Sequence, residues 1–299
     1  IKIARVDEAG SVDFVVYGYM NRGEHEGEVG TAVYHYDGLV QTIEEEVFIP
    51  SDTSYEILKA QMGQLMYVNE QGMLYLILDE KLYQVNLDSL STKVLVEDLK
   101  ENCYKISQSN QYFAWVDADQ EFASSTITLM NLNDGSTYEI SESANEYLRP
   151  LGFIDNDFIY GIAKAKEVSV GEAGNTQFPM QTLKIIKEYQ PSKGRVESIS
   201  VADYTVTVQL MKKSGSQYLT AGTDSIMNRE ADTETKITLE STATERKETQ
   251  YQLTMKDSAD TKKVKMITSK LVLLEEPRTL TFEDNKDQER FYVYEKGDV

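Results

Sequence analysis

The chain has 299 residues, 40% of them hydrophobic and 27% charged, which is enough apolar material for a sizeable soluble core. Its 50 acidic and 30 basic residues leave a net charge of −20, a surface that repels phosphate backbones and so argues against nucleic acid or anionic membrane as partners. One cysteine, Cys103, excludes an internal disulfide, and 19 tyrosines beside only 5 prolines favour strands.

In chain order, a paired-strand phrase with a short polar turn keeps returning. Strands are predicted over residues 1–6 and 12–19 around Glu8-Ala9-Gly10, and over 65–68 and 74–78 around residues 69–72. The phrase recurs at 103–106 with 112–116, at 151–154 with 158–162 around Asp155-Asn156-Asp157, and at 196–201 with 205–210. A third strand follows several of these pairs, at 31–36, 82–87 and 127–132, with Asp37-Gly38, Asp88 or Asn133-Asp134-Gly135 behind it. Asp, Asn and Gly tolerate the backbone conformations that hairpin turns need. Fourth strands are predicted at 42–49, 94–96 and 137–140.

Four short antiparallel strands per repeat are the plan of a β-propeller blade. The fold class read from the sequence is therefore all-β, a propeller of about six four-stranded blades. The markers Phe14, Leu74, Tyr112, Phe158 and Thr205 set the repeat. The long first step has a cause in 51–62, where Tyr55, Leu58 and Met62 share helical spacing and predict a short inserted helix.

Regular blades one to five are assigned to 1–227, and an irregular sixth blade with the start of another to 228–299, in the same domain. Residues 228–235 read as loop, 236–242 and 250–255 as an exposed hairpin, and 263–267 and 271–274 as further strands. Residues 280–282 and 291–294 repeat the inner-pair phrase, so the chain is expected to stop inside a blade. It opens at Ile1 without an initiator Met, as a trimmed or processed chain would.

No phosphate-binding Gly-rich loop, Gly-x-Ser-x-Gly elbow or Cys-x-x-Cys pair occurs, and His25-Glu26-Gly27-Glu28-Val29 lacks the second His of a zinc peptidase. No catalytic residue, metal site or cofactor is assigned. Cys103 is read as a buried structural thiol, His35 as a packed or surface strand residue, and Trp115 as core. Glu44-Glu45-Glu46 is read as a solvated strand edge and 117–121 as a plain turn.

Two long loops between second and third strands, 21–30 and 164–181, stand out. Binding residues concentrate on loops held by rigid scaffolds. Arg22, His25, Glu26, Phe178 and Met180 are the expected ligand or partner contacts, with Phe178→Ala expected to weaken binding and leave folding intact.

The phrase Asp13-Phe14-Val15-Val16-Tyr17-Gly18-Tyr19-Met20-Asn21-Arg22-Gly23 with His25-Glu26-Gly27, then Phe48-Ile49-Pro50 and Tyr55-Glu56-Ile57-Leu58, resembles a group of uncharacterised clostridial, Gram-positive cell-envelope proteins. Thr176-Gln177-Phe178-Pro179-Met180 and Ser225-Ile226-Met227-Asn228 are similar to that group as well. The resemblance implies a propeller-like domain of an extracellular or cell-surface protein, held to the membrane only through an anchor outside this chain. It transfers no mechanism.

The functional expectation is a non-catalytic binding or interaction module, with an envelope protein or wall-derived ligand at a loop-lined mouth. The alternatives are an accessory propeller or hydrolase-type enzyme using acidic residues, which needs convergent carboxylates, and a spacer that touches other envelope proteins through its rim.

Overall fold

Strands form where apolar and polar residues alternate, and turns form where Asp, Asn and Ser close back on the main chain. The structure, a computed structural model, describes residues 1–117, 119, 121–154, 156–170, 176–185, 194–202, 205–215, 217–227, 237–244, 247–255, 266–273 and 278–282, with backbone alone at 62–63, 227, 237–244 and 247–255. The expected loop at 228–235 and strand at 291–294 lie outside these residues, as do 263–265 of another expected strand. The chain is all-β and falls into two compact units, Ile1–Glu97 with Thr235–Val299, and Asp98–Glu234. The units part at 97/98 and 234/235.

In the first unit, β1 (Lys2–Val6), β2 (Val12–Tyr19), β3 (Val29–Asp37) and β4 (Thr42–Pro50) pair antiparallel in chain order. Asp37 Oδ1 closes the β3–β4 turn by accepting from the Leu39 and Val40 N–H groups at 2.7 and 3.0 Å. The helix α1 (Tyr55–Gly63) follows, as its spacing predicts. Leu58 is buried, and the Tyr55 ring lies where a Cβ on Gly18 would approach within 3.2 Å. Gly18 also has φ +127°, so glycine is required there twice over.

A second sheet repeats the meander with β5 (Met66–Val68), β6 (Met73–Leu78), β7 (Lys81–Asn86) and β8 (Thr92–Val96). Asn69 Oδ1 organises its first turn by accepting from the Gln71 and Met73 N–H groups, both at 2.9 Å. The period of two along each strand sends Val15, Val33 and Val47 into one core with Leu74, Leu76 and Val85.

In the second unit, β9 (Tyr104–Ile106), β10 (Tyr112–Trp115), β11 (Thr126–Asn131) and β12 (Thr137–Ser141) form another four-stranded meander. Cys103, Ala114 and Ile127 from this region pack with Leu148, Phe153 and Ile162 from the next sheet. Burial pushes the Cys103 thiol up, as expected of a structural cysteine.

That next sheet departs from the four-strand plan. β13 (Glu146–Ile154), β14 (Asp157–Lys164), β17 (Met180–Lys184), β18 (Arg195–Ala202), β19 (Thr205–Ser214) and β20 (Gln217–Met227) pair in sequence as six strands. The predicted fourth and fifth repeats are thus joined, through Met180 opposite Val196. Two short strands, β15 (Ser169–Val170) and β16 (Thr176–Gln177), form a ribbon in the β14–β17 connection.

The chain then re-enters the first unit. β21 (Ile237–Thr244) and β22 (Lys247–Met255) form the hairpin that the sequence predicts. Beyond it, β23 (Lys270–Val272) adds to β4 in parallel, with Leu271 opposite Ile43. Further on, Phe48 N donates to Arg278 O at 2.9 Å and Leu280 N donates to Phe48 O at 2.8 Å. Leu280 enters the core between the first two sheets, and Phe282 packs on Tyr83 at 4.3 Å. The expectation that 280–282 opens a further blade is corrected: these residues finish the first sheet, because β4 offers an unpaired edge and the core offers an apolar slot.

Truncating Leu280 removes a side chain that is only 9% exposed in this core. Leu280→Ala is expected to cost about 2–5 kcal/mol in denaturant unfolding. In hydrogen exchange, the Phe48 amide should lose protection before amides of β10 and β11.

Candidate functional site

The β2–β3 connection of the first unit spans residues 20–28. Met20 N donates to Glu28 O and Gly27 N to Met20 O, both at 2.8 Å, so the loop closes on its own backbone. Glu26 N to Gly23 O at 3.3 Å and Glu28 N to His25 O at 3.0 Å tighten its tip. One side chain then fastens it to the sheet. The His25 ring, 8% exposed, stacks on Phe48 with centroids 3.7 Å apart and planes 8° from parallel. Its Nε2 meets Glu45 Oε1 at 2.7 Å.

The floor beneath His25 follows from strand register. Ala32 faces Phe48 and Tyr34 faces Glu45 across β3 and β4, so the ring and the carboxylate lie on one face. A Cβ on Gly30 would lie 2.6 Å from the Phe48 ring, so only glycine leaves room for it. The Tyr34 hydroxyl also donates to Glu45, and burial together with this carboxylate raises the phenol pKa. Tyr34 stacks on Phe14 at 5.4 Å. His25 is therefore a fastener facing inward, while Arg22, Glu24, Glu26 and Glu28 are exposed around it.

The opposite face of the same sheet carries a row of charges. Arg5, Asp13 and His35 are register neighbours on β1, β2 and β3. The Asp13 carboxylate is 4% exposed as a residue, and it accepts from Arg5 Nε and meets His35 Nδ1, each at 2.6 Å. His35 in turn faces Glu44. Nearby, Glu46 lies 3.5 Å from Arg278 Nη1, and burial raises its carboxyl pKa despite that cation. Arg278 Nη2 also donates to the carbonyls of Leu87 and Asp88. The solvated-edge reading of Glu44-Glu45-Glu46 is overturned by this arrangement: β23 covers the edge, and Glu45 and Glu46 are partnered and largely buried.

The second expected loop, 164–181, belongs to the second unit, and its residues 171–175 lie outside the described ones. Arg195 grips Glu167 through Nε at 2.9 Å and Nη2 at 3.2 Å, and Tyr218 OH donates to Glu167 Oε2 at 3.1 Å. Gln177 Nε2 donates to Tyr218 O at 3.4 Å. These bonds hold the loop so that Phe178 and Met180 point inward, 3% and 0% exposed, among Ile159, Leu183 and Val206. The expectation of Phe178 as a dispensable contact is corrected: its ring is core, 6.3 Å from Phe122. Met180 is likewise packed, its sulfur in the space beside Gly161.

Of the five expected contacts, Arg22 and Glu26 present side chains to solvent, and His25, Phe178 and Met180 support the backbone around them. The sequence pattern does not reveal Tyr34, Glu45 and Phe48 as partners of His25: alternation sets Glu45 and Phe48 on opposite faces, and only the register irregularity between Val33 and Tyr34 brings them to one. Among the described residues, no group of three or more His, Cys, Asp and Glu is placed to hold a metal ion.

No family model matches the chain, and no curated protein matches it. Among solved structures it is similar to the β-propeller domain of the Trilobed protease from Pyrococcus furiosus, at 10% identity and a TM-score of 0.34, over 80% of this chain and 72% of that one. It is also similar to Porphyromonas gingivalis dipeptidyl peptidase 4, at 12% identity and a TM-score of 0.26, over 69% of this chain and 42% of that one. Pyrococcus horikoshii acylaminoacyl peptidase gives 9% identity and a TM-score of 0.24, over 71% and 42%. This chain thus spans less than half the length of those two peptidases. No residue's role is transferred from any of them.

The Arg195 pairing holds the Glu167 carboxyl below its ordinary value of 4.5. Its stabilisation is present above that value and is lost as pH falls through the lower folded pKa. Glu167→Gln should therefore flatten the acid limb of a stability–pH curve below about pH 4.5. Phe178→Ala should cost about 3–5 kcal/mol in denaturant unfolding, the loss of a buried ring.

Proposed function

We propose that this chain is a non-catalytic binding module of a bacterial cell-surface protein, built as a β-propeller of about six blades. The observation that carries the reading is the loop at 20–28, closed on its own backbone and fastened by His25 to Phe48 and Glu45. A loop fixed in this way has already met its ordering cost, and preorganisation raises affinity for whatever it meets. Arg22 and Glu26 are the proposed contacts, and both are exposed. Their mixture of one cation and several carboxylates suits a polar partner with its own charges, either an envelope protein or a wall-derived ligand.

The meander sheets support the propeller part of the proposal. The sheets β5–β8 and β9–β12 each run antiparallel from first strand to last, as blades do. The net charge of −20 speaks against nucleic acid. A membrane association would come through an anchor outside this chain, with the module extracellular or at the cell surface.

One observation favours the second reading, a hydrolase-type enzyme using acidic residues. Asp13, Glu44 and Glu46 gather near His35, and the raised Glu46 carboxyl has the character of a general acid. Hydrolysis of wall-derived glycan or peptide by this chain, lost in Glu46→Gln, would replace the binding reading with this one.

The test of the binding reading is a crosslinked pull-down from intact Gram-positive cell envelopes with this chain as bait. One dominant partner is expected, lost with Arg22→Glu and Glu26→Lys. Both substitutions are at exposed positions and should change stability by no more than about 0.5 kcal/mol. Absence of any partner above background, or capture unchanged by both substitutions, would overturn the proposed site.

A further inference from the structure

The returning chain meets β4 at two places, and one acidic side chain of β4 stands between them. β23 pairs in parallel with Thr42, Ile43 and Glu44, and Lys270 N donates to Gln41 O at 3.1 Å. Further on, Phe48 N donates to Arg278 O at 2.9 Å and Leu280 N donates to Phe48 O at 2.8 Å. Glu46 lies between these two points. It is the extra residue of the β3–β4 register irregularity: Val33 faces Val47 and Tyr34 faces Glu45, which leaves Glu46 with no β3 residue opposite.

Glu46 is poorly compensated for its burial. Its side chain is 22% exposed, and its contact with Arg278 Nη1 is 3.5 Å long, against roughly 2.8 Å for a good charge-assisted bond. Arg278 gives its other terminal nitrogen to the carbonyls of Leu87 and Asp88, just past β7. The remaining charged groups around Glu46 are Glu44 on its own strand, His35 on β3 and Asp13 on β2. Two of these are carboxylates, and His35 already meets Asp13 at 2.6 Å. A carboxylate drawn from water toward one distant cation is costly, and loss of its charge removes that cost. Burial is accordingly the largest influence on Glu46, and it holds the carboxyl above its ordinary value of 4.5 despite Arg278.

We propose that Glu46 is a proton-operated latch for this strap, so that residues 270–273 and 278–282 hold β4 more firmly when Glu46 is neutral than when it is ionised. Opening the strap returns the carboxyl to water and takes Arg278 from its side. The closed form therefore holds the proton more tightly than the open one. The stabilisation is fully present below the ordinary carboxyl value and is lost as pH rises through the raised one. Arg278 limits the loosening, since its guanidinium stays charged throughout. Phe48 also carries the His25 ring, so a loosened strap loosens the floor of the loop at 20–28. That consequence rests on the binding reading above, whereas the strap itself needs no ligand.

The test is hydrogen exchange of the full chain from about pH 4.5 to pH 8, with each rate referred to the unstructured rate at the same pH. The amides of Phe48 and Leu280 report strap opening, and those of β10 serve as the reference. Their protection relative to β10 should fall about threefold or more across this range. Glu46→Gln should keep the acid level of protection at every pH. Arg278→Gln should lower protection throughout and steepen its fall with pH, a response that a merely structural arginine would not give. If Glu46→Gln fails to fold, the wild-type and Arg278→Gln profiles decide. Wild-type protection that does not change with pH, or a fall that survives in Glu46→Gln, overturns the proposal.

Discussion

Phe48 is the residue on which the first unit turns. Its N–H and C=O are both taken by the returning chain, at Arg278 and Leu280, while its ring carries the stacked His25. A strand edge left open is a template for pairing with another chain. Here the edge of β4 is occupied by residues more than two hundred positions later in sequence. Each backbone bond contributes on the order of 1 kcal/mol net, and the burial of Leu280 adds the larger share. The same contact thus closes a sheet, completes a core and provides the floor for an exposed loop.

Buried charge organises the remainder. Asp13 is nearly inaccessible, and a lone carboxylate there would be prohibitive without Arg5 and His35. Glu45 has His25 and Tyr34, and Glu167 has Arg195 and Tyr218. Each of these carboxylates ties its own element to at least two others, so the networks fix register and loop position together. Their worth lies in specifying one arrangement, since replacing a buried pair with apolar residues is often neutral or stabilising.

Local pattern revealed the strands and concealed the closures. The alternation in Val12–Tyr19, the Asp37-Gly38 turn and the spacing of Tyr55 and Leu58 each predict the element found. Local pattern also suggested a new blade after 196, because β18 and β19 form a long hairpin, and nothing short-range shows that Met180 pairs with Val196. Phe178 reads as exposed from its place in a polar, glycine-rich loop; only the grip of Arg195 and Tyr218 on Glu167 turns that loop inward. Likewise Glu44-Glu45-Glu46 looks solvated until a strand from the far end of the chain covers it. Long-range pairing decides each of these cases, and periodicity carries no information about it.

The return of the chain to β4 is open to a direct test. Leu271 and Ile43 are register partners across the parallel pair, a spacing that cysteine side chains can bridge. The doubly substituted chain, Ile43→Cys with Leu271→Cys, should form an intramolecular disulfide under mild oxidation, with Cys103 remaining buried and reduced and thermal stability maintained or raised. Thiols at 43 and 271 that stay reduced, or that crosslink only between molecules, would contradict the parallel closure and with it the fixed floor under His25.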